Sequence, residues 1–230
     1  MAGRIVAVTG ASGALGSVVA RAAVERGWRV ALIDHGREPP PGFTDSEDVL
    51  VVRGVDLTDA EQAMMAVQAV VSRFGGLDAV LNIAGGFRWE AIDGGSSDTW
   101  DRLYRLNVLT ALHASRAAIP HLKASGSGRI VNVGANGAVK AAHGMGAYAA
   151  SKAGVHRLTE ALAEELKADG VTVNAVLPSI IDTPANRGDM PDADFGAWVR
   201  PEDLAAVILF LASEEARAVT GALVPVTGRV

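Results

Sequence analysis

Tyr148 and Lys152 stand four residues apart in a stretch whose apolar spacing predicts a helix, so the phenol and the ammonium share one helix face. A free tyrosine titrates near ~10, and a neighbouring cation stabilises the phenolate, which makes the pair a proton relay near neutrality. Taken alone, Tyr-x-x-x-Lys is usually a surface pair. A second group of residues gives it weight: in Thr9-Gly10-Ala11-Ser12-Gly13-Ala14-Leu15-Gly16 the glycines let a backbone approach a pyrophosphate, and the helix that follows offers free N–H groups. Asp34, 18 residues after Gly16, ends the next apolar run, where a carboxylate accepts from an adenosine ribose and repels a 2′-phosphate. Together these residues imply hydride and proton transfer with a dinucleotide. NAD(H) is favoured, and NADP(H) is the alternative because Arg37 lies close enough in sequence to offset the repulsion.

The elements that must position these groups alternate along the chain. Arg4 to Thr9 reads as a strand, Ala14 to Arg26 as a helix stopped by Gly27, and Trp28 to Asp34 as a second strand. Further strands are predicted near Val49 to Val52, Ala79 to Ile83, Ile130 to Val133, Val171 to Val176 and Leu223 to Val226. Helices are predicted near Asp59 to Phe74, Asp98 to Leu122, Gly146 to Ala168 and Pro201 to Ala212. Such alternation implies an α/β, doubly wound, mostly parallel sheet covered on both faces. His35 to Asp48, with Pro39-Pro40-Pro41-Gly42, reads as a loop, and Ser179 to Arg200 as a long punctuated segment of the kind that forms an active-site lid.

The 230 residues, 49% of them apolar, suit one domain spanning 1–230 with a large core. A formal charge of −5 denies a nucleic acid the basic field it needs. The absence of cysteine removes disulfides, thiolate metal sites and cysteine nucleophiles, and the five histidines show no ligand spacing, so no metal is expected. The uncharged stretch from Ile5 to Ala20 is broken by three glycines and closed by Arg21, short of a membrane span. A cytoplasmic protein with no membrane partner is expected.

With these motifs the chain resembles the short-chain dehydrogenase/reductase family over essentially its whole length. Beside the glycine turn and the Tyr148/Lys152 pair stand Asp56-Leu57 after the third strand and Asn82-Ile83-Ala84-Gly85 after the fourth. Asn107 lies in the long helix, and Asn174, Pro178 and Thr183 follow in and after the sixth strand. The resemblance implies a single Rossmann-type domain and an NAD(P)(H)-dependent oxidoreductase. It implies that Asp56 and Leu57 touch adenine, that Asn82, Ala84 and Gly85 brace the cofactor loop, and that Pro178 and Thr183 contact the nicotinamide carboxamide. Ser12, Ala14 and Leu15 come with the glycine turn. Tyr148, Lys152 and Asn107 then form the catalytic set: proton donor, cation that lowers the tyrosine's pKa and holds the ribose, and support for a relay water. Helices of this kind pair across two-fold axes in the family, which implies a homodimer or homotetramer acting on a small molecule.

Two positions depart from the family pattern: Ala14 stands at the usual third glycine, so the spacing fits Gly10-x-x-Gly13-x-x-Gly16 better, and the second departure is larger. Thirteen residues before Tyr148, where a serine usually polarises the substrate carbonyl, stands Ala135. Losing such a donor commonly costs on the order of 10²–10³ in rate when an alkoxide must form. Dihydropteridine reductases also lack that serine, and the lid resembles theirs in Leu177-Pro178, Asp182-Thr183-Pro184, Asn186-Arg187, Met190-Pro191 and Ala193-Asp194-Phe195, ending at Trp198. The main expectation is therefore reduction of a quinonoid dihydropterin or a similarly flat conjugated acceptor; Trp89 and Trp198 either border it or, equally, cap the core under loops. The alternative is a carbonyl or alcohol substrate, with Asn136 or a main-chain N–H replacing the serine; a third reading is a non-catalytic NADH-binding regulator.

Overall fold

Short runs rich in Val, Ile, Leu and Ala become strands, buried on both faces in the centre of the sheet and half-buried at its two edges. In the computed structural model, which describes residues 3–230, these are β1 (Ile5–Thr9), β2 (Arg29–Ile33), β3 (Val49–Val52), β4 (Ala79–Asn82), β5 (Arg129–Val133), β6 (Thr172–Pro178) and β7 (Leu223–Val226). Between and after them come α1 (Ala14–Glu25), α2 (Ala60–Phe74), α3 (Ser97–Tyr104), α4 (Thr110–Ser125), α5 (Gly146–Leu166), α6 (Pro184–Asp189) and α7 (Pro201–Leu211). Every pairing is parallel, in the order β3-β2-β1-β4-β5-β6-β7. The expected Rossmann-type α/β single domain is the observed fold.

Side chains alternate across the sheet with period two, and two cores result. Val6 and Val8 of β1 face Leu15 and Val19 of α1 and Ile208 and Leu209 of α7. Ile5 and Ala7 face the other way, toward Val67 and Val70 of α2, Ala114 and Leu122 of α4, and Leu162 of α5. Strand order reverses between β1 and β4, where Val6 pairs with Ala79 and Thr9 with Asn82. Ligands of open α/β sheets sit in the crevice at the carboxyl ends of strands at such a reversal.

The long helix predicted from Asp98 to Leu122 is instead two helices joined by a π-helical turn, Arg105–Leu109. The cause is local. Thr110 Oγ1 donates to the Leu106 carbonyl at 2.6 Å, and buried Asn107 is drawn toward the loop after β4, so the regular ladder is interrupted. The His35–Asp48 stretch forms no helix, as expected from its prolines. Between β6 and α7 the chain forms α6, a single 3₁₀ turn at Phe195–Ala197 and a lone parallel bridge from Ile181 to Val199. Asp182 grips Arg187 with two hydrogen bonds of 2.6 and 2.7 Å, and the guanidinium lies 4.8 Å from the Phe195 ring centre.

Candidate active site

A single cleft of about 1500 Å³ opens at the carboxyl ends of β1, β2, β4, β5 and β6. At one end lies the turn from Gly10 to Gly16. Gly10 has φ +66°, and a Cβ there would stand 2.8 Å from the Ala84 backbone, so only glycine lets the turn cross the end of β4. A Cβ on Gly16 would fall 2.1 Å from the Gly10 carbonyl oxygen. The first turn of α1 has no side-chain cap and no acidic residue, which leaves its N–H groups for an anion. Asp34 closes this end: its Oδ2 accepts from Ser12 N at 2.8 Å and its Oδ1 from Gly36 N at 2.9 Å. An uncapped helix start, a turn that admits no side chain and a fixed carboxylate fit a dinucleotide.

Gly10, Ser12, Gly13, Ala14, Leu15, Gly16, Asp34, Asp56, Leu57, Ala84, Gly85, Pro178 and Thr183 all line the cleft with Tyr148 and Lys152. Asp56 and Thr183 also cap turns: Asp56 accepts from Thr58 N at 2.9 Å, and Thr183 caps α6 through Asn186 N at 3.2 Å. Hydrogen bonds from Thr58 hold the Asp56 carboxyl below the usual carboxylate range, the largest influence on it. Asn82 and Asn107 do not reach the cleft wall. Asn82 is buried beneath it, donating to Asn132 at 2.8 Å and Ser115 at 2.9 Å. Asn107 binds the backbone of Gly86 and the Ser151 hydroxyl. Its side chain is thereby engaged in bracing the loop after β4 against α5, with one lone pair of Oδ1 left over.

At the far end α5 places Tyr148 and Lys152 on one face. The Lys152 ammonium, 6% exposed, donates to the Val133 carbonyl at 2.8 Å. Burial pulls Lys152 down to about 8 and pushes the Tyr148 phenol up to about 12. This departs from the expectation that the lysine lowers the tyrosine: burial sets the direction of the phenol's shift, and that direction is upward. The phenol is therefore held protonated across the neutral range.

Phe87 packs edge-on against the Tyr148 ring with centroids 5.0 Å apart. Phe87, Arg88 and Trp89 form one wall, Met145 the approach to α5, and Ile180, Ile181, Asn186 and Met190 the opposite wall from the lid. Phe87 was not among the residues singled out from sequence; its place two residues beyond Gly85, at the carboxyl end of a strand beside the reversal, is the signal that could have found it. Trp89 is half exposed and stacks with His143, but Trp198 is buried against Phe195 away from the cleft, so it cannot border a substrate there. Neither Ala135 nor Asn136 lines the cleft, and the Ala135 N–H is directed at His156 Nε2, 3.4 Å away. The Ala135 N–H is thus engaged within the protein and does not serve as the main-chain replacement for the serine hydroxyl.

A family profile described as short chain dehydrogenase matches residues 4–194. The chain is a short-chain dehydrogenase/reductase. Among the relatives of this dehydrogenase/reductase, the 2,5-dichloro-2,5-cyclohexadiene-1,4-diol dehydrogenase of Sphingobium indicum is 32% identical, over 99% of this chain and 96% of that one. The 7alpha-hydroxysteroid dehydrogenase of Bacteroides fragilis is 31% identical over 98% and 93%, and the 3-oxoacyl-[acyl-carrier-protein] reductase of Thermotoga maritima 30% over 98% and 97%. The crystal structure of levodione reductase superposes with a TM-score of 0.87 at 25% identity, covering 98% of this short-chain dehydrogenase/reductase and 96% of that chain. None of these is a dihydropteridine reductase, the subgroup toward which the lid sequence pointed. Membership in the family makes the protein an oxidoreductase that uses NAD(P)(H) on a small molecule. Among the described residues no helix is long and apolar enough to cross a membrane.

Proposed function

We propose that this chain interconverts a secondary alcohol and its carbonyl form on a small, largely apolar, cyclic substrate, using NAD(H) in preference to NADP(H). The observation that carries this reading is that the Tyr148/Lys152 pair and the Gly10–Gly16 turn face one another across one cleft whose substrate end is walled by Phe87, Trp89, Met145, Ile180 and Met190. Two of the named relatives act on a cyclohexadienediol and a hydroxysteroid, which supports a ring substrate.

The turn and the α1 N-terminus would hold the pyrophosphate, Asp34 the adenosine ribose, and Lys152 the nicotinamide ribose. A nicotinamide held there would supply the hydride chemistry. In reduction the protonated Tyr148 phenol donates its proton to the oxygen that becomes a hydroxyl, and in oxidation it takes that proton back. The carboxylate of Asp34, already fixed by Ser12 and Gly36, supports NAD(H) because it places negative charge where a 2′-phosphate would lie. Exposed Trp100 and Tyr104 on α3 and Phe210 on α7 favour a homodimer or homotetramer, which sedimentation at micromolar concentration tests.

The test is NAD⁺ reduction by the purified protein with a panel of cyclic and open-chain secondary alcohols, run beside NADH oxidation with quinonoid dihydropterin generated in place. Turnover of cyclic alcohols supports the proposal. Turnover of the pterin alone would replace it with the second reading, which Ala135 favours: reduction of a conjugated nitrogen ring does not build an alkoxide, so the missing hydroxyl would cost it little.

A further inference from the structure

Two side chains one turn apart on α5 reach the same three residues at the end of β5. Lys152 Nζ donates to the Val133 carbonyl at 2.8 Å, and His156 Nε2 accepts the Ala135 N–H over a longer 3.4 Å. Between them, Gly134 donates its N–H to the Val176 carbonyl of β6 at 2.9 Å. Gly134 admits no side chain, because a Cβ there would stand 2.6 Å from His156 Nε2. The imidazole is 4% exposed, so helix, ring and strand end pack as one dry unit.

An accepting Nε2 carries no proton, so this contact needs the neutral ring with its hydrogen on Nδ1. Burial first, and then the charges of Arg157 and Lys152, keep His156 below its ordinary value of 6.5. Those two cations share its helix. The strand segments packed on the ring, Val133 to Ala135 and Leu177, carry no titratable side chain.

We propose that His156 is a positioning residue for Lys152: by pinning the Ala135 N–H, one peptide beyond the Val133–Gly134 unit that β6 holds, the neutral imidazole fixes the strand end so that the Val133 carbonyl stays where the lysine needs its acceptor and the ammonium stays aimed into the cleft. The inference rests on the role proposed above for Lys152. Protonating His156 would replace the acceptor with a second donor facing an N–H, beside a cation already present, and the bracket would open. Activity is then lost as the pH falls from neutrality through the pKa of His156, an acid limb lying below 6.5.

The test compares His156→Leu, which fills space without an acceptor, with His156→Gln, whose amide oxygen can accept. Lysines labelled at Cε report the Lys152 titration by NMR, and kcat and KM are measured against pH. In His156→Leu the Lys152 midpoint should climb from about 8 toward 10.5 as the released ammonium regains water. Its kcat should fall about tenfold with substrate KM little changed. His156→Gln should recover to within about threefold of wild type and lose the acid limb. An unmoved Lys152 midpoint in His156→Leu overturns the proposal, as does a glutamine as damaging as leucine, which would mean packing alone. If His156→Leu does not fold, the imidazole nitrogen shifts of the wild-type protein decide: a bare Nε2 supports the proposal and a protonated one overturns it. Both NMR readings are made without turnover, so failure of the proposed reaction leaves this test intact.

Discussion

Asn107 takes both backbone groups of Gly86: its Oδ1 accepts the Gly86 N–H at 2.9 Å, and its Nδ2 donates to the Gly86 carbonyl at 3.1 Å. The same Nδ2 donates to Ser151 Oγ at 2.9 Å, and that hydroxyl donates to the Tyr148 carbonyl at 2.8 Å. One buried amide in a π-helical turn thus ties the loop carrying Phe87 to the helix carrying the tyrosine. Asn107→Ala leaves these partners unpaired in a dry place and should destabilise the fold by about 2–4 kcal/mol, read from urea unfolding, together with weaker NADH binding.

Tyr148→Phe removes the proton that the proposed mechanism delivers to the substrate oxygen and leaves the ring against Phe87. Turnover should fall by about 10³ or more while NADH affinity, measured by fluorescence, stays within about threefold. Retained turnover would end the assignment of Tyr148.

Lys152 is held down to about 8, so its charge disappears in an accessible range. Reductive kcat/KM should be level at neutral pH and decline above about 8 with a slope of one proton, and Lys152→Arg should lack that limb. The sign for stability is opposite. A lysine whose folded value lies below its unfolded 10.5 binds fewer protons in the native state between those values, so its burial penalty is present at neutral pH and is relieved as the pH rises. Lys152→Met should therefore raise Tm at pH 7 by about 2–4 °C while abolishing activity.

Asp34 holds its place through Ser12 and Gly36, and its charge is what a 2′-phosphate would meet. Asp34→Asn keeps the shape and removes the charge. The ratio of kcat/KM for NADH over NADPH should fall at least about tenfold, and a wild-type protein that already prefers NADPH would refute the cofactor preference.

Ala135→Ser restores the hydroxyl that the family usually carries. If the substrate is a carbonyl compound, ketone reduction should rise about tenfold or more, whereas dihydropterin reduction should not change. The two readings of the substrate are separated by this one methyl-to-hydroxymethyl exchange.

The strands and the cleft ends were legible because their signals are local. Periodicity located all seven strands, and glycines between a strand and a helix located the turn at Gly10. The π-helical turn was not legible, because it depends on Asn107 finding Gly86, a partner in the loop after β4 that no helical period encodes. Trp198 was misplaced for a related reason: its partner, Phe195, lies three residues earlier, and the fold of the lid turns both away from the cleft. The expectation for Tyr148 failed because spacing gives the neighbour's charge but not the dryness of the site. The contact of His156 with Ala135 was not legible either, since it joins a helix to a strand end 21 residues earlier.

The pairing of β1 with β4 divides the chain into two sequence halves, β1 to β3 and β4 to β7, that meet along one seam. Every β1–β4 contact is non-local, so the seam closes late and slowly compared with the neighbouring β1–β2 ladder. The dinucleotide cleft straddles it, with the glycine turn and Asp34 on one side and Tyr148 and Lys152 on the other. A ligand there acts as a clamp between halves: at a hundred times its Kd it adds about 2.7 kcal/mol to the assembled state. Amide exchange at Val8 and Leu81, opposite each other across the seam, should slow together when NADH is added, and limited proteolysis should slow with it.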